Sequence, residues 1–562
     1  MKKKIPYGNS NFESLRLGGY VYVDKTRFIE VIENLNEKYV FFLRPRRFGK
    51  SLFISVLDHY YGIHAKHQFD ALFSELYIHQ NPTPRKNTYC VLNFDFSGIA
   101  TSSEDDCLTG FREKVLQGLH RFCDRYHFDH DYPKTGTPAG ILGSFLTTVQ
   151  PKLPGSIYVL IDEYDHFANE LLSFQTDLFK DIVSKSGFVR KFYEVLKEGT
   201  KTIIDRIFAT GVSPITLDSL TSGFNIATDR TRSGPMNEAM GFTESEVRAL
   251  FPLVLPNVPV DEVLPVLKEN YNGYLFSETA STRIFNSDMI LYYLNEYSIE
   301  NAPPRNLIDD NIASDYAKIR NLFKLHQKDN GFAIMTELMG GQPQNTLITS
   351  KFSLEREFTD HDLRSLLFYM GLLTIDRPSL SVASLMIPNY VIKELYFDFF
   401  IKSISDQAHI HLKNDSLFDA IISIANQGII DPFLKIIEDV LAQLSKRDFI
   451  QFDEKYIKLL MIAYLIQTRI YSVKSEYEVP GGYIDIALLQ RNGIPVTYQA
   501  LIELKYLKSS ASKIQIENAM ADAKNQLALY ASAPEFVNRS DLKLWAVVIV
   551  GCKCYWVAYE NT

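Results

Sequence analysis

The chain of 562 residues has only five cysteines (90, 107, 123, 552 and 554), and none belongs to a CxxC pair. An odd count cannot be fully paired, so free, mostly buried thiols in a reducing compartment are expected. Cys552 and Cys554 share one face of a strand, yet no second pair and no histidines match them to complete a zinc site. Long apolar runs are also missing. The longest candidate, LLMIAYLI (459–466), has eight residues, against ~18 for a bilayer span. The start, MKKKIPYGNS, is basic but lacks the apolar core of a secretory signal. No membrane partner and a cytoplasmic location are therefore expected. Excess positive charge is absent as well, and a net charge of −8 argues against a general nucleic-acid coat protein. Residues 451–562 balance 12 Lys/Arg against 11 Asp/Glu, so charge neither proposes nor excludes nucleic acid there.

What is present is an ordinary globular balance, 46% hydrophobic and 22% charged. The length exceeds what one core can hold and implies two to four domains. RPRRFGKS (44–51) ends like a phosphate-binding loop in Gly49, Lys50 and Ser51, but Arg44 stands where GxxxxGK[ST] has its first glycine. KYVFFL (38–43) before it reads as a buried parallel strand. After it, apolar residues at 52, 53, 56, 57 and 60 have helical spacing. Backbone N–H groups at that helix start can face a phosphate, with the helix dipole favouring its charge. Pro45 biases Arg44 toward extended backbone, so the loop can turn without a positive φ there. Arg44, Arg46, Arg47 and Lys50 place four cations in one turn, suited to a triphosphate; the bland reading is a solvated basic turn.

A second element favours nucleotide. GSIYVLIDEYDHF (155–167) is an apolar strand ending in Asp162 and Glu163. This is the Walker B arrangement, one carboxylate to hold Mg²⁺ through water and a neighbour to polarise the attacking water. YCVLNFDF (89–96) supplies an intervening strand. IDRIFATGVSP (204–214) brings Thr210 and Ser213 to a strand end, where a γ-phosphate sensor would lie.

Together with IPYGNSNFESLRLGGYVYVDKTRFIEVIE (5–33), GFNIATD (223–229) and GFTESEV (241–247), these stretches resemble the AAA-ATPase-like family of predicted bacterial ATPases over roughly the first 300 residues. In that family the arginine-rich loop is the usual form. The resemblance implies a P-loop ATPase fold binding ATP, with Lys50 and Ser51 at the phosphates and Mg²⁺, Asp162 behind the metal and Glu163 as base. Arg230 and Arg232 are the candidates for an arginine finger.

ENAPPRNLIDD (300–310) reads as a linker. Beyond it, 358–376 and 384–400 read as a helix, a short hairpin and another helix, an order suited to a winged-helix-like module. Such modules read DNA, or more often pack on the nucleotide domain; Lys393 and Glu394 cancel, which favours packing. Residues 405–450 read as helical scaffold.

The last segment holds a second constellation. GGYIDIALL places Asp485 in mid-strand, and TYQALIELKYL puts Glu503 and Lys505 on one strand face. Two carboxylates that hold Mg²⁺ and a lysine that orients water are what phosphodiester cleavage needs. Glu454 opens a helix upstream, and Gln526 and Tyr530 lie one helical turn apart downstream. An E-x-K strand by itself is common as a solvent-facing ion pair. The ordered set, however, resembles the PD-(D/E)XK nuclease superfamily, in the subgroup fused behind AAA-ATPase-like domains. Gln526 and Tyr530 are similar to the element of RecB-type members; the familiar proline before the aspartate is replaced by Ile484.

The expected architecture is α/β multidomain. It has a P-loop ATPase domain with parallel sheet and helical lid (1–300), a helical, winged-helix-like middle (301–404) and a restriction-endonuclease-like domain with helical lead-in (405–562). Two functional readings follow. In one, nucleotide state gates a Mg²⁺-dependent nuclease acting on nucleic acid, in defence against foreign DNA or in mobile-element biology. In the other, an ATP-driven signalling or scaffold switch uses its nuclease-like fold only to bind a partner. Convergence of Asp485, Glu503 and Lys505 in one open cleft favours cleavage; a side chain buried or turned away favours binding. A homo-oligomer is left open.

Overall fold

The computed structural model describes residues 3–153, 155–166, 187–215, 224–309, 323, 330–352, 358–377, 382–408, 414–444, 453–491, 493–537 and 539–559. The chain packs as two compact units. The first comprises 1–301, 307–331 and 343–390; the second comprises 302–306, 332–342 and 391–562. The stretch expected as a separate middle module (301–404) is thus shared between them.

The first unit is built on β1 (Tyr39–Leu43), β2 (Cys90–Asp95), β3 (Ile157–Asp162), β4 (Ile204–Gly211) and β5 (Thr228–Asp229), in the order β2-β3-β4-β1-β5. Among the described residues the strands of this sheet pair in parallel. The strands are near-continuous apolar runs because helices cover them, as a parallel sheet requires. These include α1 (Lys50–Tyr61), α2 (Glu104–Tyr126), α3 (Pro138–Val149) and α4 (Phe188–Gly199). β4 lies between β1 and β3, so the phosphate-loop strand and the acidic strand end at the same sheet edge with one strand separating them. Asp165, fully buried, accepts from the backbone N–H of Val212 and Ser213 and from the Ser213 hydroxyl. It thereby ties the tips of β3 and β4 together.

Further along, β6 (Gln344–Thr346), α5 (Asp360–Tyr369), β7 (Thr374–Ile375) and β8 (Ala383–Met386) follow, with the strands ordered β6-β8-β7. Thr359 caps α5 in a reciprocal box with Asp362. The expected helix over 358–376 stops at Tyr369, because Gly371 takes a left-handed φ of 78° and turns the chain into the hairpin.

The second unit contains α6 (Tyr390–Ala408), whose first residue belongs to the first unit, then α7 (Asn414–Gln427), α8 (Asp431–Leu444) and α9 (Glu454–Gln467). The longest apolar run lies in α9 and is buried throughout; among the described residues no helix is long and apolar enough to cross a membrane. β9 (Tyr471–Val479), β10 (Gly482–Gln490), β11 (Gln499–Leu507), β12 (Leu542–Val550) and β13 (Lys553–Ala558) form a mixed sheet in the order β13-β12-β11-β10-β9. Only β11 and β12 pair in parallel, and α10 (Lys513–Ala531) makes the crossover between them.

Candidate functional site

The missing glycine of the first loop has a geometric answer. Arg44 follows directly on β1 and extends its pairing with β4 by one bond, its N–H donating to Gly211 O at 3.1 Å. The left-handed positions are Arg47 (φ 66°) and Gly49 (φ 93°). Glycine takes that conformation freely, whereas Arg47 must be held. Its carbonyl accepts from the Ser287 hydroxyl (3.2 Å) and the Asp288 N–H (3.3 Å), and its guanidinium pairs with Asp288 at 2.9 Å. The helix α1 then starts at Lys50.

Arg46, Arg47, Gly49, Lys50, Ser51, Asp162 and Glu163 line one cavity of about 560 Å³. Lys50, only 4% exposed, donates to Pro45 O (3.2 Å) and lies 3.6 Å from Glu163. His166 is 3.6 Å from the other Glu163 oxygen, and Asp95, beside Asp162 in register, lines the same cavity. Sequence reasoning missed both residues, although the HF after DEYD and the aspartate closing an apolar strand were visible signals. Burial raises Asp162 to about 6, with the Glu163 charge adding to it and a hydrogen bond from Ser51 opposing it. Burial acts on Glu163 in the same sense but is outweighed by Lys50, His166 and Arg46, which bring it down to about 2. Glu163 is therefore a carboxylate held ionised against its burial, and Asp162 is a buried acid that a cation would neutralise.

Two expectations are corrected, on Arg44 and on Thr210 with Ser213. Arg44 is no phosphate ligand. It is 1% exposed, lies between the rings of Phe42 (4.3 Å) and Phe276 (4.4 Å), and donates to the carbonyls of Leu43, Thr231, Met236 and Asn237. Burial draws its guanidinium down to about 9. Thr210 is no sensor: its buried hydroxyl donates to Phe42 O at 2.7 Å, and Ser213 is taken by Asp165. Arg230 and Arg232, the finger candidates, are committed to ion pairs with Glu37 and Glu278. Arg44→Met, which leaves those carbonyl acceptors unsatisfied, is expected to lower unfolding stability by about 3 kcal/mol. Arg46→Ala should cost less stability than Arg44→Met and weaken nucleotide binding, the two being read by thermal melts and calorimetry.

In the second unit the β10–β11 register (Ile486↔Ile502, Ala487↔Leu501) carries Asp485 to the position opposite Glu503. There the strands part. The Leu504 N–H, instead of meeting β10 backbone, donates to Asp485 Oδ2 at 2.9 Å, and the Tyr506 N–H donates to Glu454 Oε2 at 3.1 Å. Lys505 pairs with Glu503 at 2.9 Å. Tyr530 is buried against Gly482, the first residue of β10, and the Glu503 and Asp485 charges add to its burial in raising its pKa. Gln526, one turn earlier, has a buried Oε1 without a partner. Asp485, Glu503, Lys505 and Tyr530 thus come together, while Glu454 reaches β11 further along, at Tyr506. Sequence reasoning missed Lys458 of α9, whose ammonium is 3.2 Å from Asp485 Oδ1 and also pairs with Glu476. Its spacing of four from Glu454 was the available signal.

Residues 6–221 match the family model described as Predicted AAA-ATPase, and residues 452–558 match that of the PD-(D/E)XK nuclease superfamily. The chain carries an AAA-ATPase-like domain followed by a PD-(D/E)XK nuclease-superfamily domain. It is 28% identical over 318 residues to an Azotobacter chroococcum mcd 1 protein described as "Uncharacterized protein in vnfD 5'region". The match covers 55% of this chain and 56% of that relative, so the chain spans about half the length of the curated relative it matches. Among solved structures it is similar to the Walker-type ATPase paby2304 of Pyrococcus abyssi, at 12% identity and a TM-score of 0.36, covering 66% of this chain and 94% of that one.

In the nuclease-superfamily domain Glu503 is only 2% exposed and its Oε2 has no hydrogen-bond partner. Among the described residues no three acidic, histidine or cysteine side chains gather as a ready metal cluster. Two carboxylates with an orphaned oxygen nevertheless suit Mg²⁺, which keeps several waters and takes one or two protein carboxylates. Burial and the facing Asp485 raise Glu503 to about 7, against the pull of Lys505. The fold thus makes Glu503 harder to ionise than in the unfolded chain, and Lys505 offsets only part of that cost. The Glu503 contribution to stability is complete below the unfolded value of about 4.3 and is lost as pH rises through about 7. Without divalent metal, Glu503→Gln is expected to melt above wild type at pH 8 and level with it at pH 4, read by circular dichroism.

Proposed function

We propose that the AAA-ATPase-like domain hydrolyses ATP with Mg²⁺ and that its nucleotide state gates Mg²⁺-dependent cleavage of nucleic acid by the C-terminal domain, in defence against foreign DNA or in mobile-element biology. The observation that carries this reading is that each end of the chain brings an acidic pair and a lysine together, at Asp162, Glu163 and Lys50 and at Asp485, Glu503 and Lys505.

In the first site the N-terminal N–H groups of α1 and the Lys50 ammonium receive the phosphates. Arg46 and Arg47 add charge at the rim. Glu163, kept ionised, takes the proton from the water that attacks the γ-phosphorus. Ser51 and Asp162 would hold magnesium, which supplies positive charge to the phosphate oxygens. In the second site Asp485 and Glu503 would hold magnesium, which would supply positive charge to the phosphate. Lys505 orients the attacking water and stabilises the negative charge that develops on the phosphate. Glu454 keeps β11 open by capping Tyr506, and Gln526 and Tyr530 support the acidic pair from α10.

The second reading, a switch whose nuclease-like domain binds a partner without cleaving, is the one the sequence criterion selects on this point, because Glu503 is buried at 2% exposure rather than open to a cleft. The separating experiment incubates the full chain with single- and double-stranded DNA and RNA, with and without ATP and Mg²⁺, beside Asp485→Ala. Cleavage that needs both additions and vanishes in the variant supports the gated nuclease. ATP hydrolysis with no cleavage of any of these substrates assigns the domain to the second reading.

A further inference from the structure

We propose that Lys458 holds the place of the divalent cation in the metal-free nuclease-superfamily domain, and that Glu476 is the acceptor that takes its ammonium when the ion enters. This rests on the metal-dependent reading of the Asp485–Glu503 pair.

Two carboxylates facing each other across neighbouring strands repel, and here each is matched with its own ammonium. Lys505 serves Glu503 at 2.9 Å and Lys458 serves Asp485 at 3.2 Å. The two lysines are not equivalent. Lys505 sits on the same strand as its partner, two residues away. Lys458 arrives from α9 and is shared between Asp485 and Glu476. Its side chain is 14% exposed, as is that of Asp485, whereas that of Glu476 is 50% exposed. An ammonium bound to an oxygen that must ligate a metal competes with that metal directly. Because Glu476 already shares Lys458, giving up Asp485 leaves the ammonium paired rather than stranded. Glu476 also has a left-handed φ of 52° inside β9, a costly backbone for a residue with a side chain, and such outliers persist where the surroundings enforce them. Lys458 is thus a positioning residue that keeps Asp485 aimed until a harder cation replaces it.

A purely structural ion triad, fastening α9 to the sheet, would loosen when either outer member is removed, so both variants would bind metal less well. The proposal requires opposite signs. Mn²⁺ is titrated by calorimetry into the full-length protein without nucleotide, and the binding that Asp485→Asn removes is taken as this site. Lys458→Met is expected to tighten it about tenfold, because a competing unit charge is gone. Glu476→Gln is expected to weaken it severalfold, because Lys458 is then left with Asp485 alone. Unchanged or weaker binding in Lys458→Met, or a shift of both variants in the same direction, overturns the proposal while leaving the metal site standing. Absence of any Mn²⁺ binding that Asp485→Asn removes overturns the metal-dependent reading together with it. If Lys458→Met does not fold, Lys458→Gln, which keeps a polar group toward Asp485 without the charge, takes its place: tighter binding supports the proposal, and equal or weaker binding overturns it.

Discussion

Lys50→Ala is expected to bind ATP–Mg²⁺ roughly a hundredfold or more weakly than the wild-type chain, since one ammonium bridging two phosphates contributes ~3 kcal/mol in charge-assisted hydrogen bonds. The effect is large because the residue is already placed. Lys50 is buried, donates to Pro45 O and sits 3.6 Å from Glu163, so little side-chain entropy remains to be lost on binding. Its removal also leaves the Glu163 carboxylate facing the triphosphate without a cation between them. Calorimetry gives the affinity, and an unchanged value would remove the loop from the nucleotide site. Glu163→Gln should behave in the opposite way. It is nearly isosteric and relieves repulsion, so binding persists, while hydrolysis falls by roughly 10²–10⁴-fold with the base gone. Loss of binding in both variants would point to a collapsed cavity rather than to separate roles.

Asp485→Asn is expected to reduce phosphodiester cleavage by about 10³-fold, the order seen when a group stabilising transition-state charge is lost. The substitution is chosen for what it preserves. An asparagine oxygen can still accept from the Leu504 N–H, which is 2.9 Å from Asp485 Oδ2, so the parted end of β11 stays capped. The circular dichroism spectrum should therefore stay close to that of the wild type, while Lys458, now facing an amide NH2, keeps Glu476 as its partner. Cleavage at wild-type rate in a folded Asp485→Asn protein would rule out this carboxylate as part of the site.

Much of this was legible along the chain because it is local. The β-rich run before residue 44, the apolar spacing after it and the acids closing residues 157–163 each encode a strand, a helix or a strand tip within a dozen residues. The period of two in β10 and β11 likewise places Asp485, and Glu503 with Lys505, on defined faces. The helix–hairpin–helix order around residues 358–400 also appears as α5, β7, β8 and α6. The division into bodies was less legible, since residues 302–306 and 332–342 pack with a unit whose main part begins at 391. No composition shift marks an interleaved boundary of that kind.

The sequence by itself determined where the acids and lysines of both sites lie and in what order the elements follow, because hydrophobic periodicity and turn chemistry act between near neighbours. Tertiary structure alone decided what each cation does. Arg44, Arg46 and Arg47 read alike in the string, yet carbonyls some 190 residues away at Thr231, Met236 and Asn237 draw Arg44 inward, and Ser287 and Asp288 fix Arg47. Lys458 has an ordinary helical context and meets Asp485 only through the packing of α9 on the sheet. A long flexible side chain goes to whichever oxygens the remote packing leaves unpaired, because a buried charge without a partner costs far more than its own rotamer entropy.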